Sequence, residues 1–374
     1  MSKTKYIGYR PTWVEVNLGN LRYNLNQIKR LLAPKTKVLV SVKADAYGHG
    51  LIPVAKRLVS QGVDYLGVAS IDEGIRLRQE KINLPILVLG MVLKKDLGAL
   101  FKYNLTPTIC TEDIALALNK IAGSRGKSIN IHIKIDTGMG RLGVLCEEAP
   151  GFIKKLHCLR FINIQGVFTH LACADINKKF TLYQLRMFRN LISRLSSEGI
   201  HIPLVHTANS LGVVNYRMSH FNMIRPGLVI YGLYPQENLG IRLKPVLSLK
   251  TKIVYFKRVP SGFGISYGHT YVTRSKATIV TLPIGYGDGY PRNLSNKAEV
   301  LIRGRRFRIS GRVCMDQIMV DVKDLAVKIG DEVVLIGSQG KDKITVEELA
   351  NLSGTIPYEI VCGLGNRLPR IYNH

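Results

Sequence analysis

Residues 38–60 read Val38-Leu-Val-Ser-Val-Lys43-Ala-Asp-Ala-Tyr47-Gly-His-Gly-Leu51-Ile-Pro-Val-Ala-Lys-Arg-Leu-Val-Ser60, which is an apolar run, a short polar stretch and an amphipathic stretch. The run at Val38–Val42 is mostly apolar rather than alternating, which is typical of a strand covered on both faces. The stretch from Leu51 to Ser60 repeats its apolar residues at helical spacing. A strand followed closely by a helix is the unit from which parallel sheets are built.

The same unit recurs through the first two-thirds of the chain. Further helical stretches are predicted at Asp72–Glu80, Thr111–Ala122, Cys146–His157 and Phe180–Ser197. The strand candidates are Trp13–Leu18, Val38–Lys43, Tyr65–Ala69, Ile86–Gly90, Thr106–Cys110, Ile129–Ile135, Ile164–Thr169, Leu204–Thr207 and Met223–Tyr231. Eight of these lie between Val38 and Tyr231, and eight strands are what a closed (β/α)8 TIM-like barrel requires. We therefore expect an N-terminal barrel that excludes the first candidate.

The pattern changes after about Leu243. Short strand candidates separated by Gly and Pro turns stand at Lys250–Arg258, Lys276–Thr281, Ala298–Ile302, Phe307–Ile309, Met319–Val322 and Asp331–Ile336. Helical material is sparse there, and Thr345–Leu352 is its clearest example. The sequence therefore predicts an α/β chain of two domains, with the barrel at residues 1–242 and a mostly β domain at residues 243–374.

The chain of 374 residues is strongly basic, with 53 Lys and Arg against 26 Asp and Glu and a formal net charge of +27. Its hydrophobic fraction of 46% is that of a folded protein and excludes a disordered chain. The basic residues are spread along the whole sequence, without zinc-finger spacing, a basic leucine zipper or an RNA-binding strand signature. We expect no nucleic-acid partner, because charge alone indicates only solubility and general attraction to anions.

The sequence also lacks patterns typical of membrane insertion or export. The longest apolar run, Pro85–Leu93, is far shorter than the ~20 residues needed to cross a bilayer. The start at Met1–Tyr6 has no apolar segment of the kind that a secretory signal contains. Six scattered cysteines without a Cys-x-x-Cys pair favour reduced thiols over a disulfide framework or a zinc site. We therefore expect a cytoplasmic protein with no membrane partner.

Chemically capable side chains follow the predicted barrel strands at their C-terminal ends, where the active site of such a barrel lies. They stand at Lys43-Ala-Asp-Ala-Tyr47, Lys134, Asp136-Thr-Gly-Met-Gly-Arg141, His170, Asn209-Ser210 and Arg225-Pro-Gly-Leu228. Their convergence on one rim of the barrel predicts a functional site there.

Lys43 has two interpretations, the solvated end of a strand or a Schiff-base lysine. The second requires a desolvated amine, which loses affinity for its proton and becomes nucleophilic towards an aldehyde. If the aldehyde is that of pyridoxal phosphate, the loops after the seventh and eighth strands should bind its phosphate. Ser210 and the backbone of Gly227 and Leu228 stand at those loops, and Arg225 can face the ring nitrogen.

Two other kinds of site are rejected on spacing. The run Gly138-Met-Gly-Arg-Leu-Gly143 matches a dinucleotide-binding pattern, which needs an acidic residue about 20 positions further on. No Asp or Glu occurs between Ala149 and Ala174. His49, His170 and His206 show no metal-ligand spacing, so we expect no metal site and a barrel-interior position for His206.

The run Val42-Lys43-Ala-Asp-Ala-Tyr47-Gly-His-Gly50 resembles the pyridoxal-phosphate motif of bacterial alanine racemases. The resemblance continues in order along both predicted domains. It includes Asp136-Thr-Gly-Met-Gly-Arg141-Leu-Gly143, Thr169-His170, Ala208-Asn209-Ser210, Arg225-Pro-Gly-Leu-Val-Ile-Tyr-Gly232, Ser266-Tyr267-Gly268, Gly285-Tyr286-Gly-Asp-Gly-Tyr-Pro-Arg292, Gly311-Arg312-Val-Cys-Met315-Asp316 and Pro357-Tyr358-Glu359. The resemblance implies an isomerase that interconverts L-alanine and D-alanine and supplies D-alanine for peptidoglycan.

The resemblance further implies a head-to-tail homodimer with shared active sites, in which the initial strand belongs to the β domain. Lys43 would bind pyridoxal 5'-phosphate and exchange the α-proton on one face of the substrate. Tyr267 of the partner subunit would serve the opposite face. Racemisation needs a base on each face, or one base that reaches both, because the proton must return from the other side.

Supporting roles are also implied by the resemblance. The residues at cofactor-binding positions are Lys43, Tyr47, Arg141, His170, Asn209, Ser210, Arg225, Gly227, Leu228 and Tyr358. Arg141 and a backbone N–H of Met315 of the partner subunit would bind the substrate carboxylate. The residues matching the substrate-access channel are Asp175, Tyr286, Arg292 and Arg312.

Two basic residues have particular chemical consequences within the resemblance. Arg225 cannot take up the proton of the pyridine nitrogen, so the ring should stay unprotonated and withdraw electrons less strongly. In the family this discourages side reactions such as transamination. Lys134 matches a lysine that some relatives carry in carbamylated form.

Three alternatives within this cofactor class are weighed against the racemase. A decarboxylase of basic amino acids would use a Cys and an acidic pair from the second domain, whereas Cys314 precedes Met315-Asp316 in the racemase pattern. A broad-specificity racemase is usually exported, whereas the start of this sequence has no apolar segment typical of an export signal. A non-catalytic pyridoxal-phosphate carrier is a single barrel, without a second domain that contains Tyr267.

Overall fold

The computed structural model describes residues 9–236 and 239–374, so the expectation about a leader at Met1–Tyr6 lies outside the described residues. The strands of the first part of the chain are β1 (Thr12–Asn17), β2 (Lys37–Ser41), β3 (Tyr65–Val68), β4 (Ile86–Val88), β5 (Thr106–Ile109), β6 (Ile129–Asp136), β7 (Val144–Leu145), β8 (Ile162–Phe168), β9 (Leu204–His206) and β10 (Met223–Ile224). The helices there are α1 (Leu18–Lys29), α2 (Leu51–Ser60), α3 (Ile71–Gln79), α4 (Leu97–Lys102), α5 (Glu112–Ser124), α6 (Ala149–His157), α7 (Lys178–Ser197) and α8 (Ser210–Asn215).

Eight of these strands close into a parallel barrel. The strands pair in the order β5, β4, β3, β2, β10, β9, β8 and β6, and a further pairing of β5 with β6 completes the ring. The predicted (β/α)8 barrel is therefore confirmed. The barrel strands are almost wholly buried, because helices cover their outer face and side chains fill the interior.

The predicted last barrel strand, Met223–Tyr231, is wrong beyond Ile224. Strand β10 ends there, and Leu228–Tyr231 forms a 3-10 helix instead. Pro226 lacks the N–H that a central strand donates, and Gly227 adopts φ −121° and ψ −96°, which are outside the strand region. The chain therefore turns at the rim of the barrel, where its backbone can contact a ligand.

The second part of the chain is mostly β, as predicted. Its strands are β11 (Leu247–Lys252), β12 (Tyr255–Val259), β13 (Gly264–Ile265), β14 (Tyr271–Val272), β15 (Ala277–Leu282), β16 (Glu299–Ile302), β17 (Arg305–Arg308), β18 (Ile318–Asp321), β19 (Glu332–Gln339), β20 (Asp342–Ile344) and β21 (Arg370–Asn373). Its helices are α9 (Val346–Ser353) and α10 (Pro357–Gly363). Strand β1 lies between β11 and β21 in a seven-stranded sheet, so the start of the described chain pairs with its end.

The predicted strand Lys250–Arg258 is two strands in two different sheets. Strand β11 pairs with β1 and β19, whereas β12 pairs with β15. The break falls at Ile253 and Val254, whose N–H groups donate to Asp331 O at 3.0 Å and Thr281 O at 3.1 Å. The chain therefore passes from one sheet to the other at these two residues. The run of apolar and basic residues in the sequence does not predict this break.

Apolar side chains from the barrel and from the β domain join in one large core cluster. Within residues 9–236 and 239–374, no helix is both long and apolar enough to span a membrane.

Candidate active site

A cavity of about 510 Å³ opens at the C-terminal ends of the barrel strands. It is lined by Ser41, Lys43, Tyr47, Ala69, Leu89, Gly90, Lys134, Arg141, Leu142, Phe168, His170, Asn209, Ser210, Arg225, Gly227, Ile356 and Tyr358. Nine of the ten residues predicted for cofactor binding therefore line one space. The tenth, Leu228, is fully buried immediately after Gly227.

Lys43 follows β2 and is itself followed by a left-handed turn. Residues Ala44 to Tyr47 have φ between 52° and 55°, a region that costs a non-glycine residue about 1–2 kcal/mol. Two carboxylates stabilise this turn: Glu73 Oε1 accepts the Ala44 N–H at 2.6 Å, and Asp45 Oδ1 accepts the Leu51 N–H at 3.0 Å. Backbone strain of this kind persists only where the surrounding structure holds it in place, and it is concentrated at functional sites.

Glu73 is a residue of the site that the sequence predictions missed. Its second oxygen, Oε2, accepts the Ala69 N–H at 2.7 Å, so one carboxylate joins the ends of β2 and β3. Ser70 caps α3 by accepting the Glu73 N–H at 3.3 Å. The Ser70-x-x-Glu73 spacing of a capping box was the available signal, although this glutamate bonds to a neighbouring loop instead of its own cap.

The cavity is electrostatically positive. Among the described residues that line it, none is acidic, whereas Lys43, Lys134, Arg141 and Arg225 are basic. Burial and the nearby Arg141 lower the pKa of Lys43, and Glu73 opposes them. The site therefore favours anionic ligands and an amine that gives up its proton readily.

We expect Glu73→Gln to lower the pKa of Lys43 further, because the opposing negative charge is removed while burial and Arg141 remain. In the full chain freed of cofactor, Lys43 should then react several-fold faster with an amine-specific reagent at mildly alkaline pH. Mass spectrometry of the labelled peptide measures this. Asp72→Asn is the matched control, because it removes an exposed carboxylate from the same helical turn. Equal labelling of Lys43 in the two variants would contradict the role given to Glu73.

Lys134 lies on β6, is 5% exposed and points its ammonium towards the Phe168 ring, 5.4 Å from the centroid. Burial, helped by Arg225, lowers its pKa to about 7. This buried lysine therefore gives up its proton far more readily than an exposed lysine does. The uncharged form is the one that carbamylation requires, and the modification itself stays a prediction.

The end of the cavity beyond β9 and β10 is rich in hydrogen-bond donors. The Gly227 N–H donates to Ser210 Oγ at 3.0 Å, and the Tyr47 and Tyr358 rings lie 5.6 Å apart beside them. Burial raises the pKa of Tyr47 to about 12 and raises that of Tyr358, so both hydroxyls keep their protons. A Cβ on Gly227 would lie 2.9 Å from Tyr47 Oη, so a larger residue there would displace the Tyr47 hydroxyl. Hydroxyls and backbone N–H groups around a space without acids fit a phosphate.

Arg225 is 6% exposed and lies against the Phe168 ring at 5.0 Å. Its two terminal nitrogens donate to four acceptors. They are His206 Nδ1 at 2.8 Å, His206 O at 2.8 Å, Thr169 O at 2.6 Å and Thr207 O at 3.2 Å. Burial lowers the pKa of Arg225 to about 9, which leaves it charged at neutral pH. A fixed guanidinium at the cavity wall can donate to an unprotonated ring nitrogen, and thus the residues present fit pyridoxal phosphate.

His170 and Asn209 complete the wall between these groups. Burial is the main reason that the pKa of His170 lies well below its usual value, and Arg225 adds to the effect. Asn209 caps α8 by accepting the Gly212 N–H at 2.9 Å, and its amide donates to Leu171 O at 3.4 Å. The Asn209 side chain is thereby held at the rim beside His170.

The backbone N–H groups of the glycine-rich loop after β6 are used within the loop itself. Asp136 accepts the N–H groups of Gly138, Met139 and Gly140 at 2.8, 2.8 and 2.9 Å. Since a carboxylate already occupies these donors, the loop does not present them to a nucleotide phosphate. The rejection of a dinucleotide site therefore agrees with the geometry.

Tyr267 and Met315 lie outside the cavity of their own chain. They belong to what we call the Tyr267 surface, which comprises residues 266–269 and 314–317. Tyr267 is 70% exposed and Met315 is 52% exposed. The two parts meet where Ser266 Oγ lies 3.5 Å from Cys314 Sγ. The chain thus does not bring these residues to its own Lys43.

The predicted channel residues fall into two places. Tyr286 pairs with the Tyr267 surface, since its N–H donates to Cys314 O at 3.0 Å, and Arg292 and Arg312 are exposed in the same domain. Asp175 is exposed on the barrel and lies close enough to Tyr358 to contribute, after burial and Tyr47, to the raised pKa of that tyrosine. Within the described ranges, no group of three or more His, Cys, Asp or Glu is arranged to hold a metal ion.

Comparison with known proteins connects this geometry to one family. The family model "Alanine racemase, N-terminal domain" matches residues 16–235, and "Alanine racemase, C-terminal domain" matches residues 246–372. Curated relatives named alanine racemase include one from Halothermothrix orenii, 50% identical over 98% of this chain and 97% of the relative. Another, from Carboxydothermus hydrogenoformans, is 44% identical over 97% of this chain and 100% of the relative.

Solved structures agree over both domains. An alanine racemase from Clostridium difficile has a TM-score of 0.93 and 42% identity, covering 98% of this chain and 97% of that one. The same protein in complex with cycloserine has a TM-score of 0.90 and 41% identity, with 98% and 96% covered. The agreement extends over the barrel and the β domain alike, so it is not limited to a common barrel scaffold.

Proposed function

The chain belongs to the alanine racemase family, and on this premise we propose that it interconverts L-alanine and D-alanine with pyridoxal 5'-phosphate as its cofactor. The observation that carries the proposal is Lys43, a half-buried amine with a lowered pKa in a cavity whose other charged lining groups are positive. A cavity of this kind suits a phosphate, a carboxylate and a carbonyl together.

When bound, pyridoxal phosphate draws electrons from an amino acid attached through its nitrogen and so weakens the bond between Cα and its hydrogen. Ser210, Tyr47, Tyr358 and the Gly227 and Leu228 backbone would hold the phosphate. Arg225 would donate to the ring nitrogen and orient the ring. Arg141 would place the substrate carboxylate at the open side of the cavity.

Lys43 would exchange the α-proton on one face, which its lowered pKa supports because the neutral amine is the form that accepts a proton. The opposite face needs a second group. We assign it to Tyr267 of the partner subunit in a homodimer. The exposure of Tyr267 and Met315 outside their own cavity supports this arrangement, since both residues are available to a site in another copy.

We place the protein in a bacterial cytoplasm as a source of D-alanine for peptidoglycan. All six cysteines are unpaired thiols, which suits a reducing compartment. The access channel would be formed by Asp175, Tyr286, Arg292 and Arg312, and it would restrict the substrate to a small amino acid.

Circular dichroism of L-alanine incubated with the full chain and added pyridoxal phosphate tests the proposal. Racemisation makes the signal decay to zero, because equal amounts of the two enantiomers cancel. Amine and carbon dioxide release are measured in the same samples to detect decarboxylation. A signal that stays flat with a folded, cofactor-loaded protein would exclude alanine as the substrate.

A further inference from the structure

Two buried histidines lie behind Arg225, inside the barrel and outside the cavity lining. His206 on β9 and His132 on β6 are both fully buried, and His132 Nδ1 lies 2.8 Å from His206 Nε2. The His206 ring stacks on Phe168, with centroids 4.8 Å apart and planes 6° from parallel. A Cβ on Gly166 would lie 2.5 Å from His132 Nδ1, so the neighbouring strand makes room for the ring.

The donor chemistry of arginine sets the direction of these hydrogen bonds. A guanidinium has only donors, so His206 Nδ1, at 2.8 Å from Arg225, must accept and carries no proton. Burial is the main reason that the pKa values of both histidines are lowered, and that of His132 falls to about 3, so both rings are neutral at physiological pH. A neutral ring has one N–H, which in His206 is then Nε2–H. It donates to His132 Nδ1 and leaves the His132 proton on Nε2.

Gln165 on β8 supplies the next acceptor. His132 Nε2 and Gln165 Oε1 are both buried and have no partner of good geometry, yet Gln165 lies close enough to His132 to raise its pKa against burial. One atom is a donor without an acceptor and the other an acceptor without a donor. A small side-chain rotation pairs them, because buried polar groups are rarely left unpaired.

We propose that His132 and Gln165 are positioning residues that hold His206 in its Nε2–H tautomer and thereby fix Arg225. Arginine has five N–H groups, and four already donate to His206, Thr169 and Thr207. Only Nε–H remains for a ligand in the cavity. With His206 protonated at Nδ1 instead, two donors would face each other and the guanidinium would move away from this orientation. The contact of this Nε–H with a pyridine nitrogen rests on the proposed function. The histidine tautomers do not rest on it, because they follow from contacts within the chain.

The tautomers are measured by ¹⁵N spectroscopy of histidine-labelled full chain, with and without pyridoxal phosphate. Signals are assigned through His132→Gln and His206→Gln. We expect both rings to be neutral and protonated at Nε2. Gln165→Met removes the acceptor at the end of the chain and should give His206 a mixture of tautomers. Asn163→Met, a change of the same kind at an exposed position of β8, is the control and should leave the spectrum unchanged.

A second readout uses the cofactor-loaded protein and alanine. Release of pyruvate, which accompanies transfer of the amino group to the cofactor, should rise roughly tenfold relative to racemisation in Gln165→Met and stay constant in Asn163→Met. A His206 ring protonated at Nδ1 in the unaltered chain would overturn the proposal, as would unchanged tautomers in Gln165→Met. Because the spectra need no turnover, they decide the matter even if alanine is not the substrate.

Discussion

Lys43→Ala is expected to reduce racemisation of both L-alanine and D-alanine by roughly 10⁴-fold or more. The amine is the group that would attach the cofactor and the base on one face, so its removal takes away two functions at once. The alanine side chain introduced at position 43 should also leave the left-handed turn after β2 intact, because Glu73 holds that turn through the Ala44 backbone. The measurement is the decay of the circular dichroism signal, started separately from each enantiomer.

Lys56→Ala is the matched control, because Lys56 lies one element further along the chain and pairs with Glu80 on the surface at 2.6 Å. It should racemise alanine at the rate of the unaltered chain. Surviving racemisation in Lys43→Ala, with the cofactor present and the fold intact, would contradict the assignment. A parallel loss in Lys56→Ala would point to general damage to the barrel.

The sequence carried enough information for the barrel and for the location of the cavity. Apolar runs alternating with helical stretches predict a parallel barrel because only strands covered on both faces need be apolar throughout. Polar residues after those runs then meet at one rim as a geometric consequence, and Lys43, Ser210 and Arg225 indeed line one cavity there.

Other features depend on long-range contacts and have no local signal. Residues 44–47 are Ala-Asp-Ala-Tyr, and none of them is a glycine that would announce a left-handed turn. The turn persists because Glu73, 29 positions away from Ala44, satisfies its first N–H. Likewise, a single histidine in the apolar strand β6 looks like a core residue. Only the pairing of β6, β8 and β9 brings His132, Gln165 and His206 into line behind Arg225.

Tyr267→Ala is expected to slow racemisation by roughly 10²–10⁴-fold, and to impair proton abstraction from one enantiomer more than from the other. If Lys43 and Tyr267 serve opposite faces, removing Tyr267 takes the base from one enantiomer and the proton donor from the other. Exchange of the α-hydrogen with deuterated solvent separates these effects, because abstraction at the Lys43 face should continue. Equal loss of exchange from L-alanine and D-alanine would contradict the assignment of faces.

If each active site is shared between two subunits, the Lys43→Ala and Tyr267→Ala variants should restore activity when they are mixed. A heterodimer of a Lys43→Ala chain and a Tyr267→Ala chain carries one cavity with both defects and one with neither. Mixing the two inactive proteins should therefore restore activity, approaching one-quarter of the normal value at equal amounts, because about half the dimers are mixed and each has one intact site. Differently tagged chains show by co-purification that subunits have exchanged. If exchange is complete and no activity returns, Tyr267 does not act across subunits, and its exposure on the Tyr267 surface needs another explanation.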